Sequence, residues 1–121
     1  MHKINLTSKP GKKSGLFAGR ITATYNNNRE GAEALLNSVA SLPGKMEIIQ
    51  ADVSKSEGVD GLVSRTVDAF GGGIDILVNN AGDWMDQVFI DECPDETWDR
   101  MMDVNLKSVF LCCRAVIPVM K

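Results

Sequence analysis

The segment Asn79-Asn80-Ala81-Gly82 has the side chains and the backbone freedom that a ligand site needs. It follows the apolar run 74–78, which is typical of a buried parallel strand, and ligands of open α/β sheets bind beyond the carboxyl ends of such strands. The amides supply donors and acceptors, and Gly82 lets a ligand approach the backbone. The sequence therefore predicts a binding site here, although the same residues could form a turn whose amides bond local backbone groups.

A carboxylate stands at the end of another predicted strand, 46–53. Asp52 could accept hydrogen bonds from a ligand, and Ser54-x-x-Glu57 after it matches a capping box that would open a helix. An aspartate at a helix N-terminus is also favourable without any ligand. The residues alone therefore leave both roles of Asp52 open.

Strands and helices alternate through the middle of the chain. The patterns predict a strand over Ile21–Tyr25, helices over Arg29–Leu42 and Ser54–Phe70, and a further helix from Asp95 that Pro118 should end or kink. A strand-helix-strand-helix-strand order needs right-handed crossovers and a parallel sheet. The predicted fold class is therefore α/β, a doubly wound parallel sheet.

Composition narrows the choice of partner and compartment. A formal net charge of −3 gives no electrostatic case for nucleic acid or an anionic membrane. No apolar run approaches the roughly 18 residues that a membrane span needs. Three cysteines, two of them adjacent, suit free thiols in a reducing compartment, and the single histidine argues against a metal site. The sequence predicts one cytoplasmic domain without a metal.

Four motifs, in this order, resemble those of the short-chain dehydrogenase/reductase family. They are Tyr25-Asn26, Ala51-Asp52-Val53, Asn79-Asn80-Ala81-Gly82 and Trp98-Asp99-Arg100-x-x-Asp103-Val104-Asn105-Leu106. Each stands at the strand end or helix start that the periodicity independently predicts. The resemblance implies a Rossmann-like sheet that binds a nicotinamide dinucleotide.

The resemblance assigns expected roles to the strand-end residues. Asp52 would bond the adenine amino group, with Val53 beside the ring. Asn79 and Ala81 would line the adenosine ribose, and Gly82 would allow the close approach. These roles are expectations from the family.

Asn105 would be one member of the family's catalytic set of Asn, Ser, Tyr and Lys, holding a water in a proton relay. An amide on an apolar helical face can also bond a backbone carbonyl that a local helix distortion exposes. The two roles are compatible in one residue.

Cofactor preference depends on the end of the first predicted strand. An acidic residue there would accept hydrogen bonds from the ribose 2′-hydroxyl and favour NAD. This chain has Tyr25 and Asn26, with nothing acidic before Glu30, and Arg29 could pair with a 2′-phosphate. We therefore expect NADP to be preferred over NAD.

The amino-terminal end departs from the family pattern, which begins with a strand, a Gly-rich loop and a helix that bind pyrophosphate. Gly11 and Gly15 keep the first glycine spacing, but Phe17 replaces the third glycine. Ile4-Asn5-Leu6 is short and polar for a central strand. We expect residues 1–15 to be irregular or disordered and residues 16–121 to form a partial dinucleotide-binding Rossmann domain.

The carboxyl-terminal end lacks the family's catalytic serine and its Tyr-x-x-x-Lys. The only tyrosine, Tyr25, lies too early to be the general acid. We expect a fragment of an NAD(P)-dependent oxidoreductase that acts on a small alcohol or carbonyl compound only in its complete parent. The alternative is a non-catalytic nucleotide-binding or subunit-interaction module, and homo-oligomers through the helix at 95–120 are plausible in either case.

Overall fold

The computed structural model describes residues 3–8, 19–83 and 88–121. In this part of the chain the strands are β1 (Lys3–Ser8), β2 (Arg20–Tyr25), β3 (Lys45–Gln50) and β4 (Ile76–Asn80). The α-helices are α1 (Arg29–Ser38), α2 (Ser56–Phe70), α3 (Asp95–Met102) and α4 (Ser108–Met120), and a π-helical turn at Asp103–Lys107 joins the last two.

The strands form one sheet in the order β3-β2-β1-β4. β2 and β3 are parallel, and β1 is antiparallel to both β2 and β4. β2, β3 and β4 therefore run in the same direction, and their carboxyl ends lie at one edge of the sheet. The predicted α/β class is confirmed, and the strand order matches half of the classic doubly wound sheet, with the first strand reversed.

The prediction that Ile4-Asn5-Leu6 is unsuited to a central strand is wrong. Lys3–Ser8 lies between β2 and β4, with Asn5 opposite both Ala23 and Val78. Strands flanking a gap in a sheet present rows of unpaired N–H and C=O groups, and any extended segment that satisfies them is stabilised despite polar side chains. The irregular segment expected at 1–15 is thus a strand at 3–8, while residues 9–15 lie outside the described part.

The direction of β1 determines which edge each of its ends reaches. Lys3 is paired with Asn80, the last residue of β4, and Ser8 is paired with Arg20, the first residue of β2. β1 therefore starts at the edge where the other three strands finish. It ends at the opposite edge.

The end of α1 and the start of α2 differ from the sequence prediction. α1 ends at Ser38 instead of Leu42, and α2 starts at Ser56 after an N-cap, Lys55, that makes no side-chain capping bond. The predicted capping box at Ser54 does not form, because the Ser54 hydroxyl donates to Asp52 Oδ1 at 2.6 Å. α4 continues through Pro118 to Met120, so the proline does not end the helix where it stands.

The core lies between the sheet and the helices α2 and α4. Its buried side chains include Ile49, Val59, Leu62, Leu111 and Val116. Cys112 belongs to the same cluster, and burial, with a smaller contribution from Cys113, raises the pKa of its thiol to about 11. All three cysteines are free. No described helix is both long and apolar enough to cross a membrane.

Candidate functional site

A cleft of about 480 Å³ opens at the carboxyl ends of the parallel strands. Its walls are residues 24–27 at the end of β2, residues 51–55 after β3, Asp83, and one face of the helix that begins with α3. A backbone hydrogen bond from Ala51 N to Tyr25 O, 2.9 Å long, ties the ends of β2 and β3 together. The sheet topology therefore places the two strand ends that the sequence singled out on one side of a single cavity.

The cleft brings together part of the predicted site. Four predicted residues line it: Tyr25, Asn26, Asp52 and Val53. The other five are not among its lining residues: Arg29, Asn79, Ala81, Gly82 and Asn105. Asp83, which directly follows Gly82, does line it.

Asp52 is held in place by its own loop. Its Oδ1 accepts hydrogen bonds from Ser54 N at 3.0 Å and from Ser54 Oγ at 2.6 Å. Among the described residues no hydrogen bond to Asp52 Oδ2 is formed. The local turn thus fixes the carboxylate and leaves one oxygen for a ligand. The helix-cap role is wrong, because the N-cap of α2 is Lys55 and the described hydrogen bonds of Asp52 lie within its loop.

Asn105 joins the π-helical turn to the segment that follows β4. Its Nδ2 donates to Met101 O at 3.0 Å and to Asp83 O at 3.1 Å, and its Oδ1 accepts from Asp83 N at 3.0 Å. A π-helical turn leaves carbonyls without their usual partners, and the amide satisfies one of them. The predicted local role, an amide bonding a carbonyl exposed by a helix distortion, is confirmed. The water-holding role stays a prediction.

Gly82 and Asn79 contact the helical layer. A Cβ at Gly82 would lie 2.9 Å from Asn105 Oδ1. The absence of a side chain at Gly82 is therefore what allows Asn105 to pack closely against the backbone. Asn79 Nδ2 lies 3.6 Å from Cys113 Sγ on α4. Both residues therefore support the packing of the strand end whether or not a ligand is bound.

Arg29 lies on the surface of α1. Its Nε donates to Glu33 Oε1 at 2.7 Å, one helical turn away. This hydrogen bond, followed by the charge of Glu33, raises the pKa of the guanidinium. Exposed pairs of this kind contribute little to stability, so Arg29 could exchange Glu33 for another anion at small cost.

The charge of the cleft was missed by the sequence analysis. Among the described residues, five carboxylates and two cations line it, and one of these cations, Arg100, lies 3.6 Å from Asp83. Three of the carboxylates, Glu96, Asp99 and Asp103, come from one helical face. Their spacing could have revealed a shared face, but not that this face borders the cleft.

The fold and the cleft together define a Rossmann-type nucleotide-binding domain, since the strand order and a cleft at the carboxyl ends are its hallmarks. A family model described as short chain dehydrogenase matches residues 16–121. The chain belongs to the short-chain dehydrogenase/reductase family of oxidoreductases.

Curated relatives and solved structures agree with this assignment. The chain is 37% identical over 102 residues to 3beta-hydroxysteroid dehydrogenase 2 of Eggerthella lenta, an alignment covering 84% of this chain and 39% of that protein. It is 33% identical over 100 residues to a 3-oxoacyl-(acyl-carrier-protein) reductase of Staphylococcus epidermidis, covering 83% and 40% respectively. The chain thus spans about two fifths of the length of these relatives.

Two solved structures superpose on most of this chain. A short-chain dehydrogenase/reductase from Serratia marcescens superposes with a TM-score of 0.74 at 34% identity, covering 81% of this chain and 39% of that one. An NADH-dependent reductase, A1-R′, in complex with NAD superposes with a TM-score of 0.69 at 31% identity, covering 79% and 39%.

The described residues fit one half of a nicotinamide dinucleotide better than the other. A 480 Å³ cleft with a carboxylate oxygen available and with the apolar Val53 beside it suits an adenine ring. The family's pyrophosphate site needs backbone amides at the end of the first strand, next to the cleft. In this chain β1 ends at the opposite edge of the sheet.

Proposed function

We propose that this chain is part of an NAD(P)-dependent oxidoreductase, which in its complete form transfers hydride between a nicotinamide and a small alcohol or carbonyl substrate. The observation that carries the proposal is the cleft at the strand ends, which gathers Tyr25, Asn26, Asp52 and Val53. Residues 16–121 would supply the adenosine-binding part of the Rossmann domain. A cytoplasmic location suits the three free thiols.

Asp52 would recognise the adenine amino group. Its Oδ1 is occupied by Ser54, while Oδ2 is available to accept a hydrogen bond from an N–H donor on the purine. Inosine carries a carbonyl oxygen where adenosine carries its amino group, so the same carboxylate would repel it. The pair of nucleosides therefore tests recognition of the 6-amino group together with the adjoining N1, since both differ between adenosine and inosine.

We expect the chain to bind adenosine about tenfold more tightly than inosine, because a charged acceptor facing a donor is worth roughly 1.5 kcal/mol. In Asp52→Asn, Oδ1 still accepts from Ser54, but an amide donor replaces the carboxylate oxygen that would face the purine. The preference should then fall below twofold or reverse. Isothermal titration of both nucleosides into both proteins measures it.

Asp60→Asn is the matched control, because Asp60 is exposed on α2 and does not line the cleft. This variant should keep the full preference for adenosine. An unchanged preference in Asp52→Asn, or equal binding of the two nucleosides by the unaltered chain, would contradict the proposed role of Asp52.

Asn105 would keep its family role in the complete oxidoreductase. Its hydrogen bonds fix the π-helical turn against Asp83, which lines the cleft. Such an amide is held in one orientation before any ligand arrives. This preorganisation is what a residue positioning a water in a proton relay requires.

We also propose that NADP is preferred over NAD. Residues 24–27 bring no carboxylate to the end of β2. Among the described residues, the side chain of Arg29 bonds only Glu33, which is exposed. A 2′-phosphate could therefore replace Glu33 as the partner of Arg29 and gain a charge-assisted hydrogen bond.

The chain should bind NADPH about three- to tenfold more tightly than NADH at low salt, with the difference lost in Arg29→Ala. Arg65→Ala, which removes an exposed arginine from α2, should leave the difference intact. Competition for a fluorescent adenosine analogue gives the four affinities. Equal affinities for NADPH and NADH in the unaltered chain would refute the preference.

The alternative role, subunit interaction, has one observation in its favour. Trp98, Leu106, Phe110 and Ile117 are exposed on the helix formed by α3, the π-helical turn and α4. Trp98 and Leu106 are about two helical turns apart, Leu106 and Phe110 one turn, and Phe110 and Ile117 two turns. This spacing places the four side chains on one stripe of the helix. Self-association through this stripe needs no nucleotide and is compatible with nucleotide binding.

A further inference from the structure

The loop at residues 26–28 connects the cleft to Arg29. Asn26 and Asn27 line the cleft at the end of β2, and Arg29 is the first residue of α1. A loop this short cannot shift without moving the start of the helix that follows it. The position of Arg29 relative to a ligand in the cleft therefore depends on what holds the loop.

Gln50 holds the loop from the side of β3. The backbone pairing of β2 with β3 ends at Tyr25, which stands opposite Gln50. One residue further along the chain, Asn26 O accepts a hydrogen bond from Gln50 Nε2 at 2.9 Å. Gln50 is exposed and is not one of the described residues that line the cleft. Its side chain thus continues the connection between the two strands into the loop, and it does so from outside the cleft.

The other end of the loop is fixed to α1. Asn28 Oδ1 accepts a hydrogen bond from Gly31 N at 2.8 Å, which caps the helix, and Arg29 N donates to Asn27 O at 3.2 Å. The loop and the start of α1 are therefore joined by their own hydrogen bonds. The Gln50 side chain ties this joined unit to β3.

The adenine end of the proposed site does not depend on Gln50. Asp52 is held by Ser54, whose N–H and hydroxyl both donate to Asp52 Oδ1. These bonds lie in the loop after β3 and do not involve the Gln50 side chain. A change at Gln50 should therefore alter recognition at the loop while leaving recognition of adenine intact.

We propose that Gln50 is a positioning residue for the ribose 2′ substituent. By holding Asn26 O it sets where Arg29 lies relative to the cleft, and so it controls the discrimination between a 2′-phosphate and a 2′-hydroxyl. The inference rests on the proposed adenosine site and on the proposed NADP preference. It goes beyond them in assigning part of the preference to a residue that touches neither the cleft nor the phosphate.

Gln50→Met tests the inference, because methionine keeps the length of the side chain and removes the N–H donor. The net contribution of one hydrogen bond corresponds to a change of about two- to tenfold in an equilibrium, which is comparable to the expected preference for NADPH. At low salt we expect the preference for NADPH over NADH to fall below about twofold in Gln50→Met, with the affinity for adenosine kept within about twofold. Competition for a fluorescent adenosine analogue gives the three affinities. A merely structural role would weaken adenosine, NADH and NADPH alike, which would overturn the inference.

A double-mutant cycle with Arg29→Ala tests whether Gln50 acts through Arg29. If it does, adding Gln50→Met to Arg29→Ala should change the affinity for NADPH by less than about twofold, because the contact that Gln50 positions is already lost. A further loss as large as that of Gln50→Met alone would overturn the proposed mechanism. Asn37→Ala, which removes an exposed side-chain amide from α1, is the control and should keep the full preference.

The remaining outcomes distinguish this inference from the proposed function. If the unaltered chain prefers NADPH and Gln50→Met keeps that preference, the inference is overturned while the proposed function stands. If the unaltered chain binds NADPH and NADH equally, the NADP preference and the inference are both overturned while the adenosine site stands. If adenosine, NADH and NADPH all fail to bind up to millimolar concentration, the adenosine site itself is overturned, and the inference with it.

Discussion

Replacing Gly58 by alanine is expected to destabilise the chain by about 2–3 kcal/mol and to weaken adenosine binding at the same time. Gly58 lies in the first turn of α2, where a Cβ would meet the carbonyl oxygen of Asp52 and lie 3.0 Å from its carbonyl carbon. Both are backbone atoms, so no rotamer change relieves the clash. Either α2 or the loop after β3 must move, and Asp52 moves with that loop.

Gly61→Ala is the matched control within the same helix. A Cβ at Gly61 has no neighbour within 4 Å, and alanine in a helix is favoured over glycine by about 0.5–1 kcal/mol. Urea denaturation should therefore show opposite shifts for the two variants, and only Gly58→Ala should lose affinity for adenosine. If both variants gain stability equally, the close approach of α2 to Asp52 does not exist in solution.

The strands and helices differ in how far the sequence alone could predict them. The alternating order of apolar strand patterns and amphipathic helix patterns predicted β2 to β4 and the helices between them. Residues 3–8 carry only two apolar residues, Ile4 and Leu6, between polar ones, which is a weak signal for a central strand. Their strand depends on the unpaired backbone groups of β2 and β4, which are more than ten residues away in the chain.

Some residues of the candidate site could be placed from the sequence, and others could not. Tyr25, Asn26, Asp52 and Val53 could be placed in one cleft because parallel strands bring their carboxyl ends to one edge. The acidic face of α3 borders that cleft through contacts between residues far apart in the chain, such as Arg100 with Asp83, and these have no local signal. Asn105 illustrates both cases, since a bond to a backbone carbonyl exposed by a helix distortion was one of its two predicted roles, whereas its bonds to Asp83 were not predicted.

Asn105→Ala should cost about 2 kcal/mol of unfolding free energy, because it removes three side-chain hydrogen bonds, each worth roughly 0.5–1.5 kcal/mol net. Because Asn105 is exposed, the expected value lies in the lower half of the summed range. Two of the bonds hold the backbone of Asp83, so amide hydrogen exchange at Asp83 should accelerate more than exchange in the core of α2. Asn37→Ala, at an exposed asparagine of α1, should leave both measurements near those of the unaltered chain.

Asn105→Asp separates the contribution of the donor from that of the acceptor. Aspartate can still accept from Asp83 N, but it sets a carboxylate oxygen against the carbonyls of Met101 and Asp83, where the amide had donated. We therefore expect Asn105→Asp to be at least as destabilised as Asn105→Ala at pH 7, and to recover part of the loss at a pH low enough to protonate the carboxylate. If Asn105→Asp is instead as stable as the unaltered chain at pH 7, the two donated bonds contribute nothing. In that case the π-helical turn is held by packing alone, and Asn105 is left without the fixed orientation on which its proposed catalytic role depends.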